Sequence, residues 1–351
     1  CTHFLDTERN LHQIEQNFFT ACRVKDFCRF MACFCDLDRN TLITSVIFFA
    51  KTFFNLGGIC FDGIHLGHQA VIGCAVADKS NGLTPSVFTF QENPLQALTG
   101  NTVPTLLAPD TRNQIFEEIG VEQVFIPSFR EVMNLEAEAF IYTVLKQYCK
   151  AEKVYCGFNF HFGKGGAAGP EELKQFGEKY GIEVTVVQAV SLQEGVPISS
   201  TQIRHYLQQG QTELAAKMLG RHFCYQFPVI EGNKMGRTMG FPTINQAMPP
   251  NFVKPKRGVY ASLVTLENGT VYYGVTNIGV KPTVGDDYVV ASETWIPNFS
   301  GNLYGTSPKI ELIHYIREEQ KFSSLQVLGE QIHRDKEQAF QLLEKEFPYV
   351  K

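Results

Sequence analysis

Short apolar runs alternate with helix-length amphipathic stretches through the first part of the chain. Runs that fit buried strands cover residues 86–90, 123–126, 153–156 and 183–187. Helical periodicity covers residues 111–119, 136–148, 170–180, 201–209 and 212–219, with Thr212 as the expected N-cap of the last helix and Gly220 as its stop signal. Strands and helices that alternate at these lengths predict a doubly wound, Rossmann-like α/β sheet.

After Arg221 the pattern changes to short β-rich runs separated by Gly, Pro and Asn. These runs cover residues 223–231, 258–266, 270–276 and 309–315, and they predict an antiparallel β-barrel or sandwich. A last helix is expected at residues 324–347, because its apolar positions keep to one face. We therefore predict two domains, 45–220 and 221–351, preceded by an extension, 1–44, that shows no clean period and receives no function.

Composition narrows the partners to small molecules. The 351 residues carry a net charge of -5, and no basic run is present that would bind nucleic acid or an anionic membrane. No apolar run is long enough to span a bilayer. Six of the ten cysteines fall within the first sixty residues, without a matching zinc-spaced pair downstream. Reduced thiols and a cytoplasmic location are expected, and no partner protein is indicated.

The first candidate motif is Phe-Asp-Gly-Ile-His-Leu-Gly-His, at residues 61–68. It places His65 and His68 on either side of Gly67, where an apolar helix begins. A helix N-terminus attracts phosphate through its free N–H groups and its dipole, and glycine lets a polyphosphate approach the backbone closely. By itself, such a run fits a structural role as well as a phosphate site.

Two further motifs lie downstream. Residues 198–204, Ile-Ser-Ser-Thr-Gln-Ile-Arg, open a predicted helix, so that hydroxyls, N–H groups and Arg204 could converge on a phosphate chain. A serine N-cap with a solvated arginine is the alternative. Residues 157–163, Gly-Phe-Asn-Phe-His-Phe-Gly, end a predicted strand, at the edge where α/β sheets bind ligands. A turn between aromatic core residues is the alternative there.

In this order, the three motifs resemble the nucleotidyltransferase module of bacterial bifunctional riboflavin kinase/FMN adenylyltransferases, also called FAD synthetases. The resemblance implies that an FMN phosphate attacks ATP, with Mg²⁺ present, to give FAD and pyrophosphate. It implies that His65 and His68 bind the ATP phosphates, while Asn159 orients the nucleotide. Ile59 stands where this family normally has glycine. Further nucleotide contacts are implied for Phe61, Asp62, Gly63, Gly67, Ser199, Ser200, Thr201 and Arg204, and flavin contacts for Phe90 and Pro94.

The second half contains a glycine-rich run at residues 232–245, which ends in Phe-Pro-Thr-Ile-Asn. Its three glycines predict a loop whose backbone can approach a phosphate. Thr243 and Asn245 lie two apart on an extended segment, so their side chains point the same way, and their oxygens suit Mg²⁺ or ATP phosphates. No Walker A sequence is present, because Lys164 is followed by Gly165.

Later motifs at residues 258–261, 277–283, 293–295, 299–305 and 316–322 each fit a simple turn or hairpin. As an ordered series they resemble the riboflavin kinase module of the same family. The resemblance implies that Glu293 is the general base for the riboflavin 5′-hydroxyl, which attacks the γ-phosphate of ATP to give FMN. It also implies that Thr243 and Asn245 hold Mg²⁺-ATP. The nucleotide loop would include Lys234, Gly236 and Gly240, and the flavin side Lys281, where arginine is more usual.

Two other classes of function remain open at this stage. A single-activity nucleotidyltransferase for another phosphate substrate would explain His65 and His68 but not residues 221–351. A flavin-binding regulatory protein with decayed adenylyl transfer would fit Ile59, yet Thr243, Asn245 and Glu293 are all present. The two-activity enzyme explains both sets of motifs and their order.

Overall fold

The structure is a computed structural model. It describes residues 21–23, 44–48, 61–90, 93–192, 195–232, 235–282 and 288–350. Most of the expected extension, Ile59 and Lys234 lie outside the described residues, and of Lys281 only the backbone is described. The chain divides into two compact units, Cys1–Val103 with Arg112–Ile198, and Pro104–Thr111 with Ser199–Lys351. Each unit is treated by itself.

The first unit contains a six-stranded sheet in the order β1-β4-β3-β2-β5-β6. Strands β2 to β6 pair in parallel, and the short β1 pairs antiparallel with β4. The chain therefore winds outward from β2 on one side and then returns to β5 on the other, which confirms the doubly wound prediction. The strands are β1 Ala21–Arg23, β2 Thr44–Phe48, β3 Thr84–Phe88, β4 Gln123–Phe125, β5 Ala151–Gly157 and β6 Glu183–Val187.

Helices of the first unit pack against this sheet through buried aromatic and aliphatic side chains. Its core includes Phe88, Phe140, Val154 and Leu173. The helix predicted at residues 136–148 forms a short α-turn that continues as a π-helix, Phe140–Tyr148. The helices of this region are α1 Leu66–Ala77, α2 Pro94–Thr99, α3 Pro109–Glu118, α4 Phe129–Val132, α5 Ala137–Ala139 and α6 Pro170–Tyr180, with 3-10 turns at Asp78–Asn81 and Lys164–Gly166.

The second unit contains a seven-stranded antiparallel sheet in the order β7-β13-β10-β11-β12-β9-β8. Its strands are β7 Phe223–Gln226, β8 Val229–Ile230, β9 Thr243–Ala247, β10 Gly258–Thr265, β11 Val271–Pro282, β12 Tyr288–Trp295 and β13 Lys309–Arg317. This arrangement confirms the antiparallel β domain with a C-terminal helix. The helices are α7 Ser200–Gln208, α8 Thr212–Leu219, α9 Met235–Thr238 and α10 Leu325–Glu346.

The long helix α10 covers one face of the second sheet. Ala339 and Leu343 of α10 are fully buried, and they pack on a cluster that includes Val259, Val275 and Ile313. The other face of the sheet carries a ladder of buried hydroxyls, in which Thr276 contacts Ser262 at 2.8 Å and Thr294 at 2.9 Å between side-chain oxygens. The two faces therefore differ in chemistry, since alternate residues of a strand point to opposite sides.

Both ends of α8 can be compared with the sequence prediction. Gly220 ends the helix with a φ of 73° and donates its N–H to the carbonyl of Ala216, which confirms the stop signal. The N-cap prediction was wrong, because the cap position is Gln211. The hydroxyl of Thr212 instead donates to the carbonyl of Ile313 at 2.7 Å. A buried tertiary bond thus outcompetes the local cap.

Candidate active sites

The Phe-Asp-Gly-Ile-His run forms a tight turn immediately before α1. Phe61, Gly63 and Ile64 all have positive φ, of 49°, 85° and 40°. Such values are unusual for a bulky or β-branched residue and cost on the order of 1–3 kcal/mol each. The carbonyl of Phe61 accepts from the N–H of Ile64 at 3.0 Å, and both side chains are buried. Strained backbone held by packing is characteristic of functional sites.

This turn places two histidines at the N-terminus of α1. His65 is the N-cap, and its Nδ1 accepts from the backbone N–H of His68 at 3.3 Å. The two rings stack with centroids 3.6 Å apart and an angle of 16° between their planes. Both residues are 4% exposed. A Cβ at Gly67 would lie 3.2 Å from the His65 ring, so glycine gives the ring the space to fold over the helix end.

The position of α1 relative to the sheet explains why its N-terminus is a candidate ligand site. Helix α1 follows β2, and the turn that contains Asn159 follows β5, which is the neighbour of β2. The winding direction reverses between these two strands, and in open α/β sheets ligands bind at this reversal, outside the carboxyl ends of the strands. His65, His68 and Asn159 are therefore placed by one sheet at the expected ligand crevice.

Asn159 presents a buried acceptor at that edge. Its Oδ1 has no hydrogen-bond partner within the described part of the chain. The neighbouring backbone is fixed, because Phe158 donates its N–H to the carbonyl of Val187 at 3.0 Å and Phe160 donates to Gly157 at 3.0 Å. A buried acceptor without a partner is costly, so Asn159 is suited to accept a hydrogen bond from a ligand.

Thr89 is a site candidate that the sequence analysis missed. It follows directly after β3, at the same carboxyl edge of the sheet, and it is 2% exposed. Its hydroxyl has no partner among the residues that the structure describes. No motif pointed to it, since a threonine before Phe90 fits a strand end equally well; only its burial without a partner distinguishes it.

The third nucleotide motif belongs to the second unit, where it begins α7. Ser199 is the N-cap, and its hydroxyl accepts from the N–H of Gln202 at 3.2 Å. Ser200 and Arg204 are buried, whereas Thr201 is exposed. The Nε of Arg204 donates to the carbonyl of Pro104 at 2.7 Å. The serine therefore caps the helix, as the alternative interpretation predicted, but Arg204 is buried and hydrogen-bonded within the chain and is not solvated.

The two flavin candidates of the first unit have structural positions. Phe90 is 9% exposed and packs edge-on against Phe88 and Phe129, with ring centroids 5.6 and 5.2 Å apart. Pro94 is the first residue of α2, whose N-cap is Asn93. Proline is well suited to that position. Their contact with a flavin stays a prediction.

In the second unit, three polar residues lie side by side across adjacent strands. Asn245 of β9 is opposite Glu293 of β12, and Glu293 is opposite Asn277 of β11. Opposite residues of antiparallel strands project from the same face, with Cβ atoms about 4.5–5.5 Å apart. Thr243, two residues before Asn245, shares that face. The register thus brings Thr243, Asn245 and Glu293 together, and adds Asn277, which the sequence analysis missed.

The glycine loop packs against this row of polar residues. A Cβ at Gly232 would lie 2.4 Å from the amide nitrogen of Asn245. A Cβ at Gly236 would lie 2.4 Å from the carbonyl oxygen of Phe241 and 3.6 Å from the hydroxyl of Thr243. Gly240 has a φ of 85°. Three of the predicted loop glycines therefore have a geometric reason: two permit close approach to the site and one permits a left-handed turn.

Two further findings concern membrane spans and cysteine residues. Within the described ranges, no helix is long and apolar enough to cross a membrane. Cys74 and Cys156 are free thiols, and burial raises the pKa of Cys156 to about 12. A buried thiol with a raised pKa is protonated and unreactive.

Comparison with known proteins assigns a family to each half of the chain. Residues 50–202 match the FAD synthetase family model, and residues 219–343 match the riboflavin kinase family model. The folds and motifs therefore define a transferase in which an FAD synthetase domain precedes a riboflavin kinase domain.

Whole-chain relatives show the family directly. The bifunctional riboflavin kinase/FMN adenylyltransferase of Bacillus subtilis is 38% identical over 305 residues, which are 83% of this chain and 92% of that protein. The enzyme of the same description from Haemophilus influenzae is 34% identical, over 80% and 91%. A crystal structure described as a macrolide-efflux protein from Streptococcus pneumoniae has a TM-score of 0.74 at 30% identity, over 86% and 95%. The chain belongs to the bifunctional riboflavin kinase/FMN adenylyltransferase family.

Proposed function

We propose that the chain makes FMN from riboflavin and FAD from FMN, using ATP in both steps, with the residues described above in the following roles. The observation that carries the proposal is the register of the second sheet, which aligns Asn245 and Glu293 on one face beside a close-packed glycine loop. A structural sheet has no need for a carboxylate and a buried amide directly opposite each other at that loop.

For phosphorylation, Glu293 takes the proton of the riboflavin 5′-hydroxyl as its oxygen attacks the γ-phosphorus of ATP, and ADP leaves. A primary alcohol is a weak nucleophile, so a carboxylate placed to accept its proton contributes strongly. Thr243 and Asn245 offer a hydroxyl and an amide oxygen to the nucleotide phosphates. Gly232 and Gly236 let the loop pack directly on the site, because a Cβ at Gly232 would overlap the amide of Asn245 and one at Gly236 would overlap the carbonyl of Phe241.

For adenylyl transfer, an FMN phosphate oxygen attacks the α-phosphorus of ATP, and pyrophosphate leaves. No covalent enzyme intermediate is needed, so the residues align the reactants and neutralise charge. The stacked His65 and His68 present imidazole donors at a helix N-terminus, where phosphate is already favoured. Because Nδ1 of His65 accepts from a backbone N–H, its Nε2 is the nitrogen that carries the proton and donates to phosphate. Asn159 accepts from the nucleotide.

Both reactions are proposed to use Mg²⁺. The oxygen donors of Thr243 and Asn245 fit a small hard cation that keeps most of its ligands as phosphate oxygens and water. When bound, the ion neutralises developing negative charge on the transferred phosphate. The free thiols of Cys74 and Cys156 and the need for ATP support a cytoplasmic site of action.

One assay tests the proposal. The purified chain is incubated with riboflavin, ATP and MgCl₂, and FMN and FAD are resolved by chromatography. Both products are expected, with FMN appearing first. Accumulation of FMN without FAD would refute adenylyl transfer by this chain, and recovery of riboflavin alone would refute both activities. Omission of MgCl₂ with added EDTA tests the metal separately.

We also propose that kinase activity resides in residues 221–351 and adenylyl transfer in 45–220. The contact division puts α7 and α8 with the second unit, and Thr212 of α8 bonds to Ile313 of β13. Two fragments, 199–351 and 221–351, discriminate these boundaries. If both phosphorylate riboflavin and the longer one has the higher unfolding temperature, α7 and α8 support the kinase domain without being required for its chemistry. An inactive, folded 221–351 fragment would show that the boundary lies nearer residue 199.

A further inference from the structure

Arg317, the last residue of β13, is held by four contacts. Its Nε and Nη2 donate to the two carboxylate oxygens of Asp335, at 2.8 and 2.7 Å. Its Nη1 donates to the carbonyl of Glu318 at 2.8 Å, and its Cζ lies 5.7 Å from the ring centroid of Phe322. The side chain of Asp335 is 4% exposed and that of Arg317 is 17% exposed. Arg317 therefore ties helix α10 to the segment that follows β13.

This segment, residues 318–322, reaches back to the sheet through Glu319. The Oε1 of Glu319 lies 3.5 Å from Nδ2 of Asn277. A Cβ at Gly279 would lie 2.3 Å from the same oxygen, so the carboxylate rests against the backbone of β11. Asn277 is directly opposite Glu293, and Gly279 is two residues along, on the same face of the strand. Glu319 is thus a second carboxylate on the face that carries Glu293.

The positions around Glu319 are small. Gly279 is opposite Ala291; Gly279 comes two residues after Asn277, Ala291 comes two residues before Glu293, and both lie on the same face. The carboxylate of Glu319 therefore lies directly over Gly279, on the face of the sheet that carries Glu293. A carboxylate only accepts hydrogen bonds, so two carboxylates on one face suit a ligand with several hydroxyl donors.

We propose that Arg317 is a positioning residue for the kinase reaction, which acts by holding Glu319 where its carboxylate accepts a hydrogen bond from a side-chain hydroxyl of riboflavin. The proposal rests on the kinase function proposed above. The fork of the guanidinium is essential to it, because one planar group binds both oxygens of Asp335 and the carbonyl of Glu318 at once. A lysine keeps the charge but cannot match this geometry.

The test is a double-mutant cycle on the full chain. Arg317→Lys, Glu319→Gln and the double variant are assayed for riboflavin phosphorylation with riboflavin and ATP varied in turn. Arg334→Lys and Glu330→Gln, which change exposed residues of α10, serve as matched controls. FAD formation from supplied FMN and the thermal unfolding midpoint report whether each variant is folded.

We expect each single variant to raise the KM for riboflavin by about 10- to 100-fold, the loss that follows removal of a hydrogen bond to a charged group. The KM for ATP and kcat should change much less. Because Arg317 acts through Glu319, the double variant should be no worse than the poorer single variant. A merely structural role for Arg317 would instead reduce kcat and the unfolding midpoint together.

Two results would overturn the proposal: a double variant whose loss equals the product of the single losses, or a Glu319→Gln chain with normal KM for riboflavin. If Arg317→Lys does not fold, Phe322→Leu replaces it in the cycle, since it removes the ring beneath the guanidinium and leaves the ion pair. Phe322→Leu must then raise the KM for riboflavin. A native chain without any kinase activity would instead refute the proposed function itself.

Discussion

Replacing Gly232 with alanine should separate the two activities by a purely steric effect. The added Cβ would lie 2.4, 2.7 and 2.8 Å from the Nδ2, Cγ and Oδ1 atoms of Asn245. Rotation of the Asn245 amide about the Cβ–Cγ bond cannot relieve this overlap, because that rotation leaves Cγ in place. Asn245 is 6% exposed and sits in the middle of β9, so its side chain has to leave its position.

The size of the displacement follows from these contacts. Ordinary van der Waals contact begins at about 3.4 Å or more between such atoms, so the amide has to move by roughly 1 Å. A misplacement of this size at a positioning residue can cost about 100-fold in rate. We therefore expect kcat/KM for riboflavin phosphorylation to fall by about that factor. FAD formation from supplied FMN should be unchanged, since Gly232 lies within the proposed kinase domain, residues 221–351, and outside the three nucleotide motifs.

Gly329→Ala is the matched control. Gly329 lies within α10, and the nearest atoms to its added Cβ are at 3.8 and 3.9 Å, which is ordinary contact. Alanine should stabilise the helix by about 1 kcal/mol and leave both activities intact. Initial rates of FMN formation at saturating ATP compare the two variants. Full kinase activity in a folded Gly232→Ala chain would show that Asn245 does not have to occupy its observed position.

Three further predictions test other residues. Glu293→Gln keeps the shape of the side chain but removes the base, so FMN formation should fall by roughly 10²–10⁴-fold while adenylylation of FMN stays normal; retained kinase turnover would assign the proton to another group. His68→Ala should abolish most FAD formation, measured by chromatography, without slowing the kinase; equal loss of both activities would indicate damage to the fold. Burial lowers the pKa of His222 below its usual 6.5, so the unfolded chain binds more protons below that pH and the protein should lose stability as the pH falls from 7 to 5.5. The urea midpoint of His222→Phe, which keeps a ring against Phe347, should fall less over this range, and an equal fall would exclude His222 as the cause.

Much of the first unit could be predicted because its strands and helices are specified by patterns of neighbouring residues. Each predicted strand and helix of the α/β pattern has a counterpart within a few residues, and glycine signals such as Gly220 depend only on backbone conformation. The order of the three nucleotide motifs likewise identified their chemistry. Prediction failed at the start of α8, where the tertiary bond from Thr212 to Ile313 replaced the local cap.

The kinase site shows what only tertiary structure decides. The sequence alone pairs Thr243 with Asn245, because two residues on one strand share a face by period. It contains no information on which residues of β11 and β12 stand opposite them, since register is set by packing across the sheet. Strand β12 was absent from the predicted set, and β9 was predicted only as an extended segment that carries Thr243 and Asn245. Asn277 and Glu319 therefore became candidates for the site only once the register and the contacts of the sheet were known.

The same distinction holds at the edge of the first sheet. His65 and His68 are recognisable as a motif, because their spacing around Gly67 follows from the geometry of a helix start. Thr89 is not, since its buried hydroxyl without a partner in the described part of the chain is a property of its surroundings. The sequence by itself identified the two activities through its motifs, and it supplied most of the candidate chemical groups. The tertiary structure decided which further groups face them, because burial and strand register arise from contacts between residues far apart in the chain.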